Sequence, residues 1–296
     1  MFDIDRWREI FESIRSNVLR TILSGFTVAL GLYIFIVLFG IGSGLKNAFT
    51  EGFARDASNL ITIFTGKTTI AYGGLQADRQ VVLKNDDYEQ AIKSDPAKVE
   101  SSTARYNANL LVKYGKESGT YQISGANPDE KIIENRKLID GRYLNNRDLS
   151  LKQNVAVIGR MVQRDLIKNG SPVGKDLDIN GTFFKVVGVF SDDGGDWDER
   201  MITVPITTLQ QMKKGSDTVS NIFITYNTNL TPDQAIKYGD ELQKELKNKN
   251  KISPDDENAL VVRNNAKNMG ETFAFLAIIT GIVGFIGLGT LLAGII

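Results

Sequence analysis

Two long apolar stretches bracket a longer stretch in which apolar and polar residues alternate. Residues 21–45 and 272–296 contain no Asp, Glu, Lys or Arg. A helix rises about 1.5 Å per residue, so each stretch is longer than the roughly 30 Å hydrocarbon core of a bilayer. We therefore predict a transmembrane helix over 21–45, a second over 272–296, and a polar domain over 46–271 between them.

Each apolar stretch leaves a question open. A cleaved signal peptide has an apolar region of about 7–15 residues, so the longer first stretch favours a retained helix. The second stretch contains Gly281, Gly284 and Gly287. These glycines favour close packing against another helix, although glycine is also common in membrane helices generally. The chain stops at Ile296 without polar or aromatic anchors, so we expect the protein to continue beyond it.

The first twenty residues have the pattern of an amphipathic helix. Apolar residues recur at three- and four-residue steps from Ile4 to Val18, with charged residues between them. We predict a cytoplasmic helix over 1–20 that lies flat on the membrane surface, binds a cytoplasmic partner, or does both. The candidate contact residues are Trp7, Arg8, Phe11 and Arg15.

The distribution of positive charge predicts the orientation in the membrane. Four arginines precede the first apolar stretch, whereas Lys46 and Arg55 follow it closely. Positive charge is in excess on the cytoplasmic side of membrane helices, so we predict that the N-terminus is inside the cell. The domain over 46–271 then lies outside the cytoplasm, and the protein is a multi-pass protein of the inner (plasma) membrane.

The polar domain combines strand and helix signals. Asn180-Gly181 predicts a hairpin over 176–190 with a type I′ turn. Thr231, Pro232 and Gln234 form a capping box with proline in the first turn, which predicts a helix start. We therefore predict an α+β extracytoplasmic domain that is large enough for two lobes. Further strands are predicted over 60–64, 109–114, 120–124, 154–158, 201–205, 221–226 and 259–262, and short helices over 85–92 and 160–168.

Composition excludes several classes of function. The chain has no His and no Cys, which rules out a Ser-His-Asp relay, a Cys nucleophile, a Cys/His zinc site and a disulfide. The 35 Lys and Arg balance the 35 Asp and Glu, which argues against a nucleic-acid-binding protein. Uncharged apolar stretches also lack the ionisable residues typical of proton and ion pathways. We predict no catalytic residue, no cofactor and no metal ion.

Two short motifs carry little functional weight. Gly66-Lys67-Thr68 resembles the end of a phosphate-binding loop, but Ile61 stands where such a loop needs its first glycine. The acidic loop 192–199 could attract calcium, but its spacing differs from that of an EF-hand loop. We interpret this loop as solvated surface.

Short segments in a fixed order carry a resemblance to a known family. The segments are 15–17 (RSN), 40–45 (GIGSGL), 58–63 (SNLITI), 140–144 (DGRYL), 154–159 (NVAVIG), 172–175 (PVGK), 179–181 (ING) and 184–189 (FKVVGV). In this order, between two apolar stretches, they make the chain resemble the MacB/FtsX family of ABC transporter permeases, specifically the MacB-like periplasmic core domain.

The resemblance implies a permease subunit that is not itself an enzyme. Members of the family have four membrane helices, work as homodimers or paired permeases, and are driven by a cytoplasmic ATPase. Because no ATPase domain precedes residue 21, the resemblance implies a separate ABC ATPase chain. It also implies that ATP-driven motion reaches the periplasmic domain and drives export or extrusion of a substrate. A periplasmic adaptor and an outer-membrane duct are further partners that it implies.

Two other classes of protein share parts of this layout. A two-span signalling receptor also has a periplasmic sensory domain between two membrane helices, and its continuation would be a long polar helical region. A membrane-anchored hydrolase is disfavoured, because the chain lacks His and Cys and shows no convincing catalytic constellation.

The amphipathic N-terminus generates a first prediction. Charge reversal at Arg8 and Arg15 in the full-length protein should weaken recruitment of the ATPase, because it replaces both positive charges of the predicted contact with negative ones. Co-purification of the ATPase and its stimulation by the permease measure the effect. Unchanged co-purification and stimulation would contradict the predicted contact.

Overall fold

The computed structural model describes residues 14–15, 17–55, 59–168 and 170–295. Internal contacts divide the chain into two units. One unit comprises residues up to Glu51 and from Met269 onward, and the other comprises Gly52–Asn268. The described helices are α1 (Val18–Arg55), α2 (Asn85–Lys93), α3 (Glu130–Ile133), α4 (Asn146–Ser150), α5 (Arg160–Leu166), α6 (Ile206–Met212), α7 (Pro232–Lys249) and α8 (Asn265–Ile295).

Two of the described helices are long and apolar enough to cross a membrane, judged by length and composition. In α1 the qualifying segment is Val18–Gly42, 25 residues with a mean hydropathy of 2.4. In α8 it is Asn265–Ile286, 22 residues with a mean hydropathy of 1.9. Both helices extend past the uncharged stretches toward the polar residues, because lysine, glutamate and alanine support a helix as well as apolar residues do.

Gly281 and Gly284 of α8 do not pack against the described part of the chain. A Cβ atom placed at Gly281 or Gly284 would meet nothing within 4 Å. Buried positions on α8 are instead Leu276 and Val283. These two glycines therefore form no interface with the described residues, and packing of α8 against a further helix stays a prediction.

The domain unit contains one large sheet and one small two-stranded sheet. Its strands are β1 (Leu60–Thr65), β2 (Leu83–Lys84), β3 (Val99–Tyr114), β4 (Glu117–Ala126), β5 (Lys137–Gly141), β6 (Val155–Gly159), β7 (Asp176–Ile179), β8 (Thr182–Ser191), β9 (Met201–Pro205), β10 (Thr218–Val219), β11 (Asn221–Tyr226) and β12 (Leu260–Asn264). The order across the sheet is β12-β1-β11-β3-β4-β9-β6-β8-β5, with β7 pairing β3 and β8. Strands β2 and β10 form a separate pair.

Buried side chains of the domain fall into two main clusters. The first core cluster lies where α7 covers β1, β11 and β12, and includes Ile61, Ile224 and Leu242. The second core cluster lies among β4, β6, β8 and β9, and includes Ile123 and Phe184. The long strand β3 contributes to both, and its Tyr106 packs against each cluster.

Local sequence signals predicted the element types well and the element lengths less well. The type I′ turn is confirmed, since Asn180 and Gly181 have φ values of 51° and 87°. The Thr231 hydroxyl accepts from Gln234 N at 3.3 Å, which confirms the capping box. Strands β3 and β4 are 16 and 10 residues long, far longer than predicted. Cross-strand pairing extends them through polar positions that carry no strand signal.

A buried ion network ties α3 to the sheet. The Glu130 side chain is fully buried and lies 3.1 Å from Arg136 Nη1 and 3.0 Å from Arg105 Nη2. Tyr143 Oη donates to Glu130 Oε2 at 2.7 Å. Burial alone would raise the pKa of Glu130, but the charges of Arg136 and Arg105 outweigh burial and hold it below the ordinary value of 4.5.

The lowered pKa of Glu130 predicts how stability depends on pH. A group whose pKa is lower in the folded state stabilises the fold above its unfolded pKa, and this stabilisation is lost as pH falls through the folded pKa. Glu130→Gln should therefore lower the unfolding free energy at pH 7 by about 3–5 kcal/mol, because the buried Arg136 loses its nearest carboxylate and Arg105 keeps only Glu134. It should also flatten the loss of stability below pH 4.5.

Denaturant unfolding at a series of pH values measures both effects. The matched control is Glu117→Gln, which breaks the exposed Glu117–Lys168 pair of 2.8 Å. That change should cost about 0–1 kcal/mol, as is usual for a surface pair. Equal losses in the two variants would show that the buried network does not stabilise the fold.

Candidate functional site at the paired terminal strands

The first and last strands of the domain are hydrogen-bonded neighbours. They run antiparallel, with Ile61 opposite Asn264 and Thr65 opposite Leu260. Strand β1 is the first strand after α1, and β12 continues directly into α8. The chain therefore enters and leaves the domain at the same end of two adjacent strands.

Asn264 connects the end of β12 to two helices. Its side chain is only 5% exposed. Asn264 Nδ2 donates to the Ala235 carbonyl at 2.8 Å, in the first turn of α7. Asn264 Oδ1 accepts from Ala266 N at 3.0 Å, in the first turn of α8. One amide thus caps the start of α8 and fastens it to α7, as asparagine is well suited to do.

Close approach of α7 to Asn264 depends on a glycine. A Cβ atom at Gly239 would lie 2.9 Å from Asn264 Nδ2. Beside this glycine, Tyr238 and Leu242 are buried in the first core cluster. The hydrogen bond from the Asn264 side chain to Ala235 therefore ends on a well-packed helix. For this reason α7 would resist a displacement of the first turn of α8.

A second asparagine fastens the start of β1. Asn59 Nδ2 donates to the Tyr226 carbonyl and, at 2.8 Å, to Glu100 Oε2. Tyr226 N in turn donates to the Asn59 carbonyl at 3.0 Å. Asn59 therefore ties the segment before β1 to β11 and β3. Side-chain amides thus anchor both ends of the domain to its sheet.

The acidic loop 192–199 uses its carboxylates within the fold. The buried Glu199 pairs with Arg160 at 2.8 Å and accepts from Asp192 N at 3.1 Å. Asp193 pairs with Lys137 at 2.8 Å. Across the described residues, no group of three or more acidic side chains is arranged to hold a metal ion.

The structure does not test the contact residues predicted on the N-terminal helix. Trp7, Arg8 and Phe11 lie outside the described residues. Arg15 lies within them and is exposed. All four stay predictions.

Sequence reasoning predicted both terminal strands but missed the roles of Asn59 and Asn264. An asparagine immediately before an apolar helix is a known cap signal, so a role for Asn264 at the start of α8 was accessible. Its bond to Ala235, 29 residues earlier, was not, because only the packing of α7 on β12 brings the two together.

Comparison with known proteins finds relatives that are named export ATP-binding/permease proteins. A profile of the family described as MacB-like periplasmic core domain matches residues 21–238. The macrolide export ATP-binding/permease protein MacB of Chlorobium phaeobacteroides is 26% identical over 219 residues, covering 73% of this chain and 33% of that protein. The pyoverdine export ATP-binding/permease protein PvdT of Pseudomonas aeruginosa is 25% identical over 293 residues, covering 95% and 43%. The chain therefore spans less than half the length of these relatives.

Solved structures show the same fold. The periplasmic region of MacB from Actinobacillus actinomycetemcomitans superposes with a TM-score of 0.61 at 21% identity, covering 76% of this chain and 96% of that one. The extracellular domain of the noncanonic ABC-type transporter YknZ from Gram-positive bacteria gives a TM-score of 0.58 at 18% identity, covering 70% and 100%. The fold extends over nearly all of both solved domains.

The two side-chain hydrogen bonds of Asn264, to Ala235 and Ala266, can be tested separately. Asn264→Ala removes both, and should make exchange of the Ala266 amide about 5–30 times faster, equivalent to about 1–2 kcal/mol. Asn264→Asp keeps the acceptor for Ala266 N but removes the donor to Ala235, so the Ala266 amide should stay protected. Hydrogen exchange read by mass spectrometry over the first turn of α8 distinguishes the variants. Equal exchange in wild type and Asn264→Ala would contradict the assigned cap.

Proposed function

The chain belongs to the MacB-like periplasmic core domain family, as its sequence segments predicted, and from this we propose that it is the permease subunit of an ABC exporter. In this proposal the domain lies outside the inner membrane, and ATP-driven motion inside the cell drives export or extrusion of a substrate. The observation that carries the proposal is the family match over residues 21–238, which takes in the first apolar stretch and most of the domain.

We propose that the subunit acts by transmitting motion. Membrane helices that conduct ions or protons usually carry ionisable residues, and residues 21–45 and 272–296 carry no Asp, Glu, Lys or Arg. A helix that begins at a fixed point in a domain can instead pass a displacement to that domain. The Asn264 bonds to Ala235 and Ala266 make the start of α8 such a point.

The energy for this motion comes from linkage. If ATP binds more tightly to one arrangement of an ATPase dimer, it favours the arrangement of membrane helices that accompanies it. Adjacent strands β1 and β12 would then receive motion from both helices at one end of the sheet. The two core clusters support a two-lobed domain, joined by β3, that responds to this motion.

The remaining parts of the assembly are proposed from the family. The relatives are named ATP-binding/permease proteins, so an ABC ATPase is part of the proposed assembly. We propose a separate ATPase chain, a homodimer or paired permease, further membrane helices, and an adaptor with an outer-membrane duct. The proposed layout is cytoplasmic helix 1–20, transmembrane helices 21–45 and 272–296, and extracytoplasmic domain 46–271.

A flexible insertion tests transmission of motion. Two glycines inserted between Asn264 and Asn265 should interrupt the helix start, because glycine costs about 1 kcal/mol per helical position and loosens the backbone. In the full-length permease with its ATPase in nanodiscs, ATPase stimulation should persist. The nucleotide-dependent signal of a spin label at Ser118→Cys, an exposed position on β4, should be largely lost.

The same two glycines inserted after Gly115, in the turn between β3 and β4, provide the matched control and should leave both readouts unchanged. Because the chain has no Cys, Ser118→Cys also reports sidedness. A membrane-impermeant maleimide should label it in intact spheroplasts. Labelling only after permeabilisation, or a nucleotide response that survives the Asn264 insertion, would overturn the proposal.

A further inference from the structure

An open cavity of about 340 Å³ lies on the sheet where β4 meets the start of β9. Sites for small molecules typically measure about 300–1,000 Å³, so the cavity is large enough for one small ligand. Its lining residues are Asn109, Thr120, Tyr121, Gln122, Trp197 and Arg200.

The sheet brings the polar lining residues together. Asn109 on β3 lies directly opposite Gln122 on β4, so their side chains leave the same face of the sheet. Thr120 is two positions from Gln122 and shares that face. All three side chains are exposed to solvent. They form a floor of two amides and one hydroxyl.

The loop before β9 supplies the aromatic wall. Strand β9 joins β4 at the Met201–Gln122 pair, and the preceding loop carries Trp197 and Arg200 to the cavity. Trp197 is 82% exposed. Within the described domain it belongs to none of the core clusters. Folding therefore gains little from this tryptophan, whose large apolar surface is left in water.

Charge around the cavity favours a neutral ligand. The Arg200 guanidinium pairs with Asp165 at 2.9 Å. Arg200 is the one charged residue among those that line the cavity. Because Asp165 balances its charge, the lining presents no unpaired charge to a ligand. The cavity therefore selects neither an anionic nor a cationic ligand.

We propose that this cavity binds a neutral saccharide ring. One face of a pyranose presents C–H groups, which the negative face of an indole attracts. Its hydroxyl groups donate and accept, and so do the amides of Asn109 and Gln122 and the hydroxyl of Thr120. An exposed tryptophan beside a floor of amides matches both requirements. An extended peptide would instead need apolar pockets for alternate side chains along the edge of β4.

Tryptophan fluorescence gives a direct readout of this site. The chain contains two tryptophans, so Trp7→Phe leaves Trp197 as the single tryptophan. The full chain is placed in lipid nanodiscs without maltoside or glucoside detergents, because such detergents present sugars themselves. The probes are trisaccharides of β-1,4-linked N-acetylglucosamine, β-1,4-linked glucose and α-1,4-linked glucose. At least one should give a saturable shift of Trp197 emission, with a Kd at or below about 1 mM.

Substitutions at the cavity separate specific binding from quenching. Gln122→Ala should weaken the responding trisaccharide about three- to tenfold, the usual effect of one lost hydrogen bond. Trp197→Ala, measured by calorimetry, should weaken it by at least about tenfold. The matched control is Phe183→Ala, an aromatic residue that is 66% exposed and does not line the cavity. This control should bind as wild type does.

Three outcomes would overturn the proposal. The first is no saturable response to any of the three trisaccharides up to about ten times the expected Kd. The second is an equal response in wild type and Gln122→Ala. The third is a response to an extended heptapeptide of alternating threonine and valine but to none of the sugars, which would make the cavity a peptide site. None of these outcomes depends on export, so the proposed function is judged separately.

Discussion

The pairing of β1 with β12 is the constraint on which the rest of this structure depends. Because Ile61 faces Asn264 across this pair, a domain of more than two hundred residues begins and ends on adjacent strands. The intervening strands extend the sheet away from that pair toward β5. Any motion delivered to the ends of the domain therefore reaches the sheet at one place.

Rigidity at that place comes from hydrogen bonds of side-chain amides and from packing. Asn264 and Asn59 each bond to the backbone of a neighbouring element, and α7 presses its apolar side onto the sheet. Further along the sheet, Glu130 and its two arginines hold α3 in place. Buried ions are costly to separate, so this network favours one arrangement of the domain at neutral pH. The two means of stabilisation lie at different parts of the sheet.

The acidic loop 192–199 contains one buried carboxylate that belongs to the fold and one tryptophan that is exposed. Its buried Glu199 belongs to the fold through Arg160 and the backbone of Asp192. Its Trp197 remains in solvent beside the cavity. Composition described this loop only as acidic and solvated. The structure shows that some of its carboxylates hold the loop, while the aromatic residue that interrupts them is presented outward.

The sequence by itself determined the features that depend on near neighbours. Uncharged stretches predicted apolar helices, Asn180-Gly181 predicted its turn, and Thr231 predicted its cap, since each signal acts within a few residues. The fixed order of short sequence segments predicted the family. Only the tertiary structure decided the length of β3, the contact of Asn264 with Ala235, and the placement of Trp197 and Gln122 at one cavity. These depend on strand order and helix packing, which join residues far apart in the chain and leave no local pattern.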